Sequence, residues 1–239
     1  MPEDGDRRST PAGEGTLVRP TRMRSAIARQ MAASKREIPH FYVSAEIAMD
    51  VATADLRQVA LRSESGPRIT MSALLIHRLA RTLREHPAFN ALATEEGFVI
   101  VDAVNVGVAI ALEDGLIAPA LLEADRLDVV EIAGALEDLV SRTRAGRLRT
   151  AELTGPTFTL SNLGMFGVAT FAAIVPPPQV GILAVGRSIP RPVVEEGSVV
   201  VRRVMTATLA ADHRAVDGAQ AARFLDTFRG LVEGTQLIG

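Results

Sequence analysis

Ala211-Asp212-His213-Arg214-Ala215-Val216-Asp217-Gly218-Ala219 is the stretch on which the reading of this 239-residue chain turns. An apolar, β-branched run from Val199 to Ala211 precedes it, and Ala222, Leu225, Phe228 and Val232 recur after it at spacings of three or four. A strand therefore ends and a helix begins here. His213 sits where a rigid sheet gives way to a loop, a place where a scaffold can hold a proton-transfer group steady. Imidazole suits that work because its ordinary pKa lies near neutrality. Taken alone, the spacing fits equally well a plain strand end followed by a helix whose N-cap is Asp217.

Working outward, Met23, Ile27 and Met31 form a stripe at i, i+4 and i+8 that predicts a helix from Thr21, ended by Pro39. A strand is expected over His40 to Met49, and helices over Val51 to Arg62 and Met71 to Glu85. Val104, Val106, Val108, Ile110 and Leu112 alternate with smaller residues, which predicts one strand, and Asp114-Gly115 turns the chain into Leu116 to Leu122. Val129, Ile132, Ala133, Leu136 and Val140 mark an amphipathic helix. Strands are then expected over Thr157 to Ser161, Val180 to Val185 and Val199 to Ala211. Hairpin-linked strands mixed with helices, without strict alternation, predict an α+β two-layer domain. Residues 1–20, rich in Gly, Pro, Ser, Thr and charge, read as a flexible N-terminal arm, and residues 21–239 as a single catalytic domain.

Composition narrows the function. The chain is 47% hydrophobic and 23% charged, enough for one sizeable core. Its formal net charge is −2 with no recurring basic block, which argues against nucleic acid or an anionic membrane as partner. The absence of cysteine excludes disulfides and thiolate nucleophiles. The four histidines lack metal-ligand spacing, so no metal is expected; His40, His77 and His86 read as structural. With no secretory signal and no apolar stretch near the roughly 20 residues of a membrane helix, the expected place is the cytoplasm.

A second stretch bears on chemistry. In Phe158-Thr159-Leu160-Ser161-Asn162-Leu163-Gly164-Met165-Phe166-Gly167, the side chains of Thr157, Thr159 and Ser161 share one strand face and those of Phe158 and Leu160 the other. Together with Asp212-His213-Arg214-Ala215-Val216-Asp217-Gly218, this block resembles the signature of dihydrolipoamide acyltransferases, the catalytic domains of 2-oxo acid dehydrogenase complexes, whose fold is shared with chloramphenicol acetyltransferase. Ile38 to Tyr42, Asn105 to Ala109 and Asp114 to Pro119 are similar as well. The resemblance implies a large mixed sheet covered by helices, assembled as a homotrimer or larger homo-oligomer, with the histidine of one subunit facing a pocket on its neighbour. It implies His213 as general base, Ser161 as the hydrogen-bond donor to an oxyanion, Asp217 as an organiser of the loop, and an arginine of the first helix, Arg24, pairing with that aspartate.

No Gly-x-Ser-x-Gly elbow is present, so direct transfer from acetyl-CoA to a thiol or hydroxyl is the expected chemistry. The residues that bind coenzyme A are not legible. The only lysine, Lys35, lies within the first helix, a context unlike that of a lipoylated lysine, so no lipoyl group is expected on this chain. Three readings of function remain. The first is a freestanding acetyltransferase acting on a small-molecule hydroxyl, a tetronate-like secondary-metabolite intermediate in antibiotic biosynthesis, as stand-alone relatives do. The second is an arm-less core of a 2-oxo acid dehydrogenase complex acting on dihydrolipoamide. The third is an inactive oligomeric scaffold, against which the intact His213, Asp217 and Ser161 argue. Met1 and the linker-like start favour the first.

Overall fold

The computed structural model describes residues 7–62, 66–112 and 114–234. Its elements begin with strands β1 (Arg7–Thr10) and β2 (Gly13–Thr16), helix α1 (Arg22–Glu37), β3 (His40–Ala48) and helices α2 (Asp50–Arg62) and α3 (Met71–Glu85). Short strands follow: β4 (Ala91–Thr94), β5 (Gly97–Ile100), β6 (Val106–Val108), β7 (Ile110–Leu112), β8 (Gly115–Ile117) and β9 (Ala120–Leu121). Helices α4 (Val129–Arg144) and α5 (Thr150–Thr154) lead to β10 (Phe158–Asn162), β11 (Gly181–Val185), β12 (Ile189–Glu195), the long β13 (Ser198–Asp212) and α6 (Gly218–Glu233).

The main sheet runs β12-β13-β11-β10-β6-β9, with β3 also paired to β13. β10 is parallel to β6 and β11, and the remaining pairs are antiparallel. Strand alternation sends Met205, Ala207, Leu209 and Ala211 of β13, Phe158 and Leu160 of β10, and Leu183 and Val185 of β11 into one core with helices α3, α4 and α6. The fold is thus the expected α+β two-layer one, a mixed sheet covered by helices. The reverse face of the sheet carries hydroxyls: Ser44, Thr159, Ser161, Thr206 and Thr208, with Ser44 Oγ and Thr208 Oγ1 2.9 Å apart. Part of that face is covered by the small cluster of Ile38, Val175, Ile182 and Ala210.

α3 is the best-buried helix. Thr70 caps it by accepting the Ala73 N–H at 3.2 Å, and Leu74, Leu75, Ile76, Leu79 and Leu83 are all buried. Arg78 is buried too, 2% exposed, and its guanidinium reaches Asp55 of α2 at 3.5 Å. Removing either partner would leave a charge stranded in the core.

Three expectations need correction. The single strand from Val104 to Leu112 is two strands. β6 joins the main sheet, while β7 leaves it to form a hairpin with β8, breaking at Ala109, whose N–H donates to Leu160 O at 3.1 Å. Alternation continues unchanged through the break, so periodicity cannot show which sheet each half joins. β12 lies outside the expected strands because Pro190 and Pro192 interrupt it; an edge position, with one side free of ladder bonds, tolerates both. Residues 7–16, expected to have little order, form a two-stranded hairpin with every residue exposed and Arg7 paired to Glu14 at 3.4 Å. The first six residues and Thr235–Gly239 lie outside the described residues.

Candidate active site

His213 directly follows the last residue of β13. Its backbone N–H donates to Pro39 O at 3.1 Å, and its ring lies against Phe41 with centroids 4.6 Å apart. The turn is secured by a pair that sequence reasoning passed over. Asp212, with no exposed surface, accepts from the Arg214 backbone N–H at 2.9 Å and, through both oxygens, from Arg214 Nε at 3.0 Å and Nη2 at 2.7 Å. Hydrogen bonding to this carboxylate holds the Arg214 guanidinium above its ordinary pKa. A bidentate clamp of this type brings specific geometry as well as attraction. The available signal was an acid flanking the histidine directly after an apolar strand.

Asp217 is the N-cap of α6. Its Oδ1 accepts the Gln220 N–H at 2.8 Å, and Gln220 Oε1 accepts the Asp217 N–H at 2.9 Å, a full capping box. Among the described residues its carboxylate bonds neither His213 nor Arg24. Arg24 instead uses its backbone N–H to take the Thr21 cap at 3.1 Å. The pairing of Arg24 with Asp217 is therefore absent within one chain.

Ser161 is 8% exposed, on the hydroxyl-bearing face of the sheet. It stands opposite Ala184 of β11, which stands opposite Thr208 of β13, and Thr208 lies five residues before His213. Two strand spacings across and five residues along separate the Ser161 and His213 backbones by about 19 Å. No side chain closes that distance. A single chain positions each residue well and does not bring them together.

The other histidines are held by the fold. His40 Nδ1 lies 2.9 Å from Ile38 O, while Nε2 accepts the Val175 N–H at 3.0 Å, which engages both ring nitrogens. His77 is pushed down to about 4 by burial and by neighbouring Arg78 and Arg81. His86 is lowered by burial and meets Thr227 Oγ1 at 2.8 Å. Lys35 Nζ contacts the Tyr42 hydroxyl. Among the described residues no three His, Cys, Asp or Glu side chains cluster as metal ligands, and no helix is long and apolar enough to cross a membrane.

Comparison with known proteins agrees with this architecture. The family model of the 2-oxoacid dehydrogenases acyltransferase catalytic domain matches residues 12–239. A dihydrolipoyllysine-residue acetyltransferase component of the pyruvate dehydrogenase complex from Rickettsia felis is 35% identical over 228 residues, covering 94% of this chain and 55% of that protein. The chain thus spans about half the length of the relatives it matches. Among solved structures, the cubic core of the pyruvate dehydrogenase multienzyme complex superposes with a TM-score of 0.87 at 28% identity, covering 92% of each chain. The dihydrolipoamide acetyltransferase of Azotobacter vinelandii gives the same values. Chloramphenicol acetyltransferase, 13% identical with a TM-score of 0.52 over 85% of this chain and 94% of that one, shares the fold. These relatives overturn the expectation of a tetronate-type hydroxyl acetyltransferase in antibiotic biosynthesis: they are components of pyruvate dehydrogenase complexes, the setting that had been the alternative. The chain belongs to the acyltransferase catalytic domains of the 2-oxo acid dehydrogenases.

Proposed function

We propose that this chain transfers an acetyl group between coenzyme A and a dihydrolipoyl thiol, as the catalytic core of a pyruvate dehydrogenase-type acetyltransferase working in the cytoplasm. Residues 21–239 form the catalytic domain and residues 1–20 an arm leading into it. The observation that carries the reading is a matter of spacing. The mechanistic study of the Azotobacter vinelandii enzyme concerns a serine, a histidine 52 residues further on and an asparagine four beyond that. Ser161, His213 and Asp217 stand at those same intervals here.

His213 accepts the proton of the attacking thiol as its sulfur adds to the thioester carbonyl. Ser161 Oγ–H donates to the resulting oxyanion, and collapse of the tetrahedral intermediate expels the second thiol, which takes its proton back from His213. A thiol, with an ordinary pKa about two units above that of imidazole, is a better-matched partner for this base than a hydroxyl. The 19 Å gap within one chain is closed by assembly: His213 of one subunit meets Ser161 of the next around a trimer, and trimers can build a larger core. Asp217 and Arg24, both exposed, are free to meet across the same interface.

The test is release of free coenzyme A from acetyl-CoA in the presence of dihydrolipoamide, wild type against His213→Ala. Turnover that falls at least 100-fold in the variant is the expected result. Folded, assembled wild-type protein that is silent on this thiol would overturn the reading in favour of an inactive scaffold.

A further inference from the structure

The start of β3 touches His213 twice. Pro39 O accepts the His213 backbone N–H at 3.1 Å, and the Phe41 ring lies against the imidazole with centroids 4.6 Å apart. His40 stands between those two residues. Phe41, Val43 and Ala45 pack on the main core, so strand alternation turns the His40 side chain to the reverse, hydroxyl-bearing face of the sheet.

On that face both ring nitrogens are engaged. Nδ1 lies 2.9 Å from Ile38 O, which also accepts the His40 backbone N–H at 2.9 Å, so ring and backbone close the Ile38–Pro39–His40 turn together. Nε2 accepts the Val175 N–H at 3.0 Å. Val175 is buried and belongs to no helix or strand, and side chains satisfy both of its peptide groups: His40 takes the N–H, and Ser34 Oγ donates to the carbonyl at 2.6 Å. Its side chain packs with Ile38, Ile182 and Ala210, which makes it a fixed point. A buried peptide N–H rarely goes without an acceptor, so the bond to His40 is firmly held.

We propose that His40 is a positioning residue for His213: its imidazole braces the Ile38–Pro39–His40 turn against Val175 and so holds the Pro39 carbonyl and the Phe41 ring where they seat the catalytic imidazole. The inference rests on the acetyl-transfer reading above. A reacting group misplaced by about 1 Å can cost roughly a hundredfold in rate, so a little freedom in the residues that seat the base is read directly in turnover. The brace acts on the base and not on the substrates, and its loss therefore falls on kcat and spares KM.

Steady-state acetyl transfer from acetyl-CoA to dihydrolipoamide by the assembled protein tests this in wild type, His40→Ala, His40→Gln and Ser34→Ala. His40→Ala is expected to lower kcat about tenfold with KM unchanged. His40→Gln, whose Oε1 can accept the Val175 N–H, recovers part of the loss. Ser34→Ala removes the other bond to Val175, lowers the unfolding midpoint comparably and leaves kcat near the wild-type value. If His40→Ala does not assemble, as judged by elution volume, His40→Gln against Ser34→Ala gives the same order with a smaller difference. Modification of His213 by diethyl pyrocarbonate, followed on its peptide by mass spectrometry, needs no turnover: it is expected to run severalfold faster in His40→Ala and unchanged in Ser34→Ala. Equal loss of kcat in the His40 and Ser34 variants, or His213 modification indifferent to His40, overturns the positioning role and, with wild-type turnover intact, leaves the proposed function standing. His213 modification that responds to His40 in a protein that transfers no acetyl group leaves the brace standing and sinks the function.

Discussion

Helices α1 and α3 are nearly equal in length and were both legible as helices, yet the fold treats them in opposite ways. α3 buries nine residues, from Ala73 to Leu83, between the sheet and its neighbouring helices. α1 buries only Ser34, whose Oγ donates to Val175 O at 2.6 Å. Its apolar stripe of Met23, Ile27 and Met31 stays partly open, with Ile27 resting on Gly115, where even a Cβ would come within 2.9 Å. Leu17, Val18 and Leu116 are exposed as well. One helix is completed by its own chain. In the proposed trimer the other, like the His213 and Ser161 pair, is completed by a second copy.

The contrast can be broken most directly through catalysis. Ser161→Ala is expected to lower acetyl transfer about 100-fold and His213→Ala by more. Refolding equal amounts of the two variants together should restore about a quarter of the activity, because about one interface in four of the mixed trimers pairs an intact histidine with an intact serine. If co-refolding recovers nothing, the site closes within one chain and the distinction between the helices loses its functional meaning.

Stability should separate the helices next. Leu79→Ala in α3 is expected to cost 2–5 kcal/mol (about the range for a buried leucine), read from urea unfolding. Ile27→Asp in α1 should scarcely move the unfolding midpoint of the isolated subunit while shifting sedimentation from trimer to monomer. An unchanged trimer would show that α1 is simply a solvent-exposed helix.

Charge pairs sharpen the same contrast between buried and exposed. Glu152 of α5 is 1% exposed and accepts from Arg142 at 2.6 and 2.8 Å and from Arg149 Nε at 2.8 Å. These partners, Arg142 first, hold it down at about 2, against 4.5 for the free side chain. Because the folded value lies below the unfolded one, the stabilisation is complete above about pH 4.5 and is lost as pH falls towards 2. Glu152→Gln should therefore cost on the order of 2–3 kcal/mol at neutral pH and flatten the stability profile through that acid window. Glu195, paired with Arg202 on the exposed β12–β13 ribbon at 2.7 Å, makes the smallest case: Glu195→Gln should leave the unfolding midpoint where it was.

The candidate residues were legible because both lie in short blocks where local chemistry and position coincide. His213 ends an apolar strand, and Ser161 shares the polar parity of its strand. Asp212 and Arg214 were missed although they sit in the same block, because an acid beside a basic residue has no distinctive period. The reach of His40 was illegible for a different reason: Val175 lies far from it in sequence, and only the fold brings the two together.

Residue order by itself determined helices α1 to α4 and α6, the long strand β13, the α+β class and the placement of His213 and Ser161 at strand ends, since 3.6-residue and two-residue periods are local consequences of backbone geometry. Tertiary structure decided that β6 and β7 part company at Ala109, that the proline-broken segment after Gly186 serves as an edge strand, and that His213 and Ser161 lie about 19 Å apart in one chain. Those outcomes depend on which strands pair and which surfaces meet, and pairing over such separations leaves no periodic trace in the residues themselves.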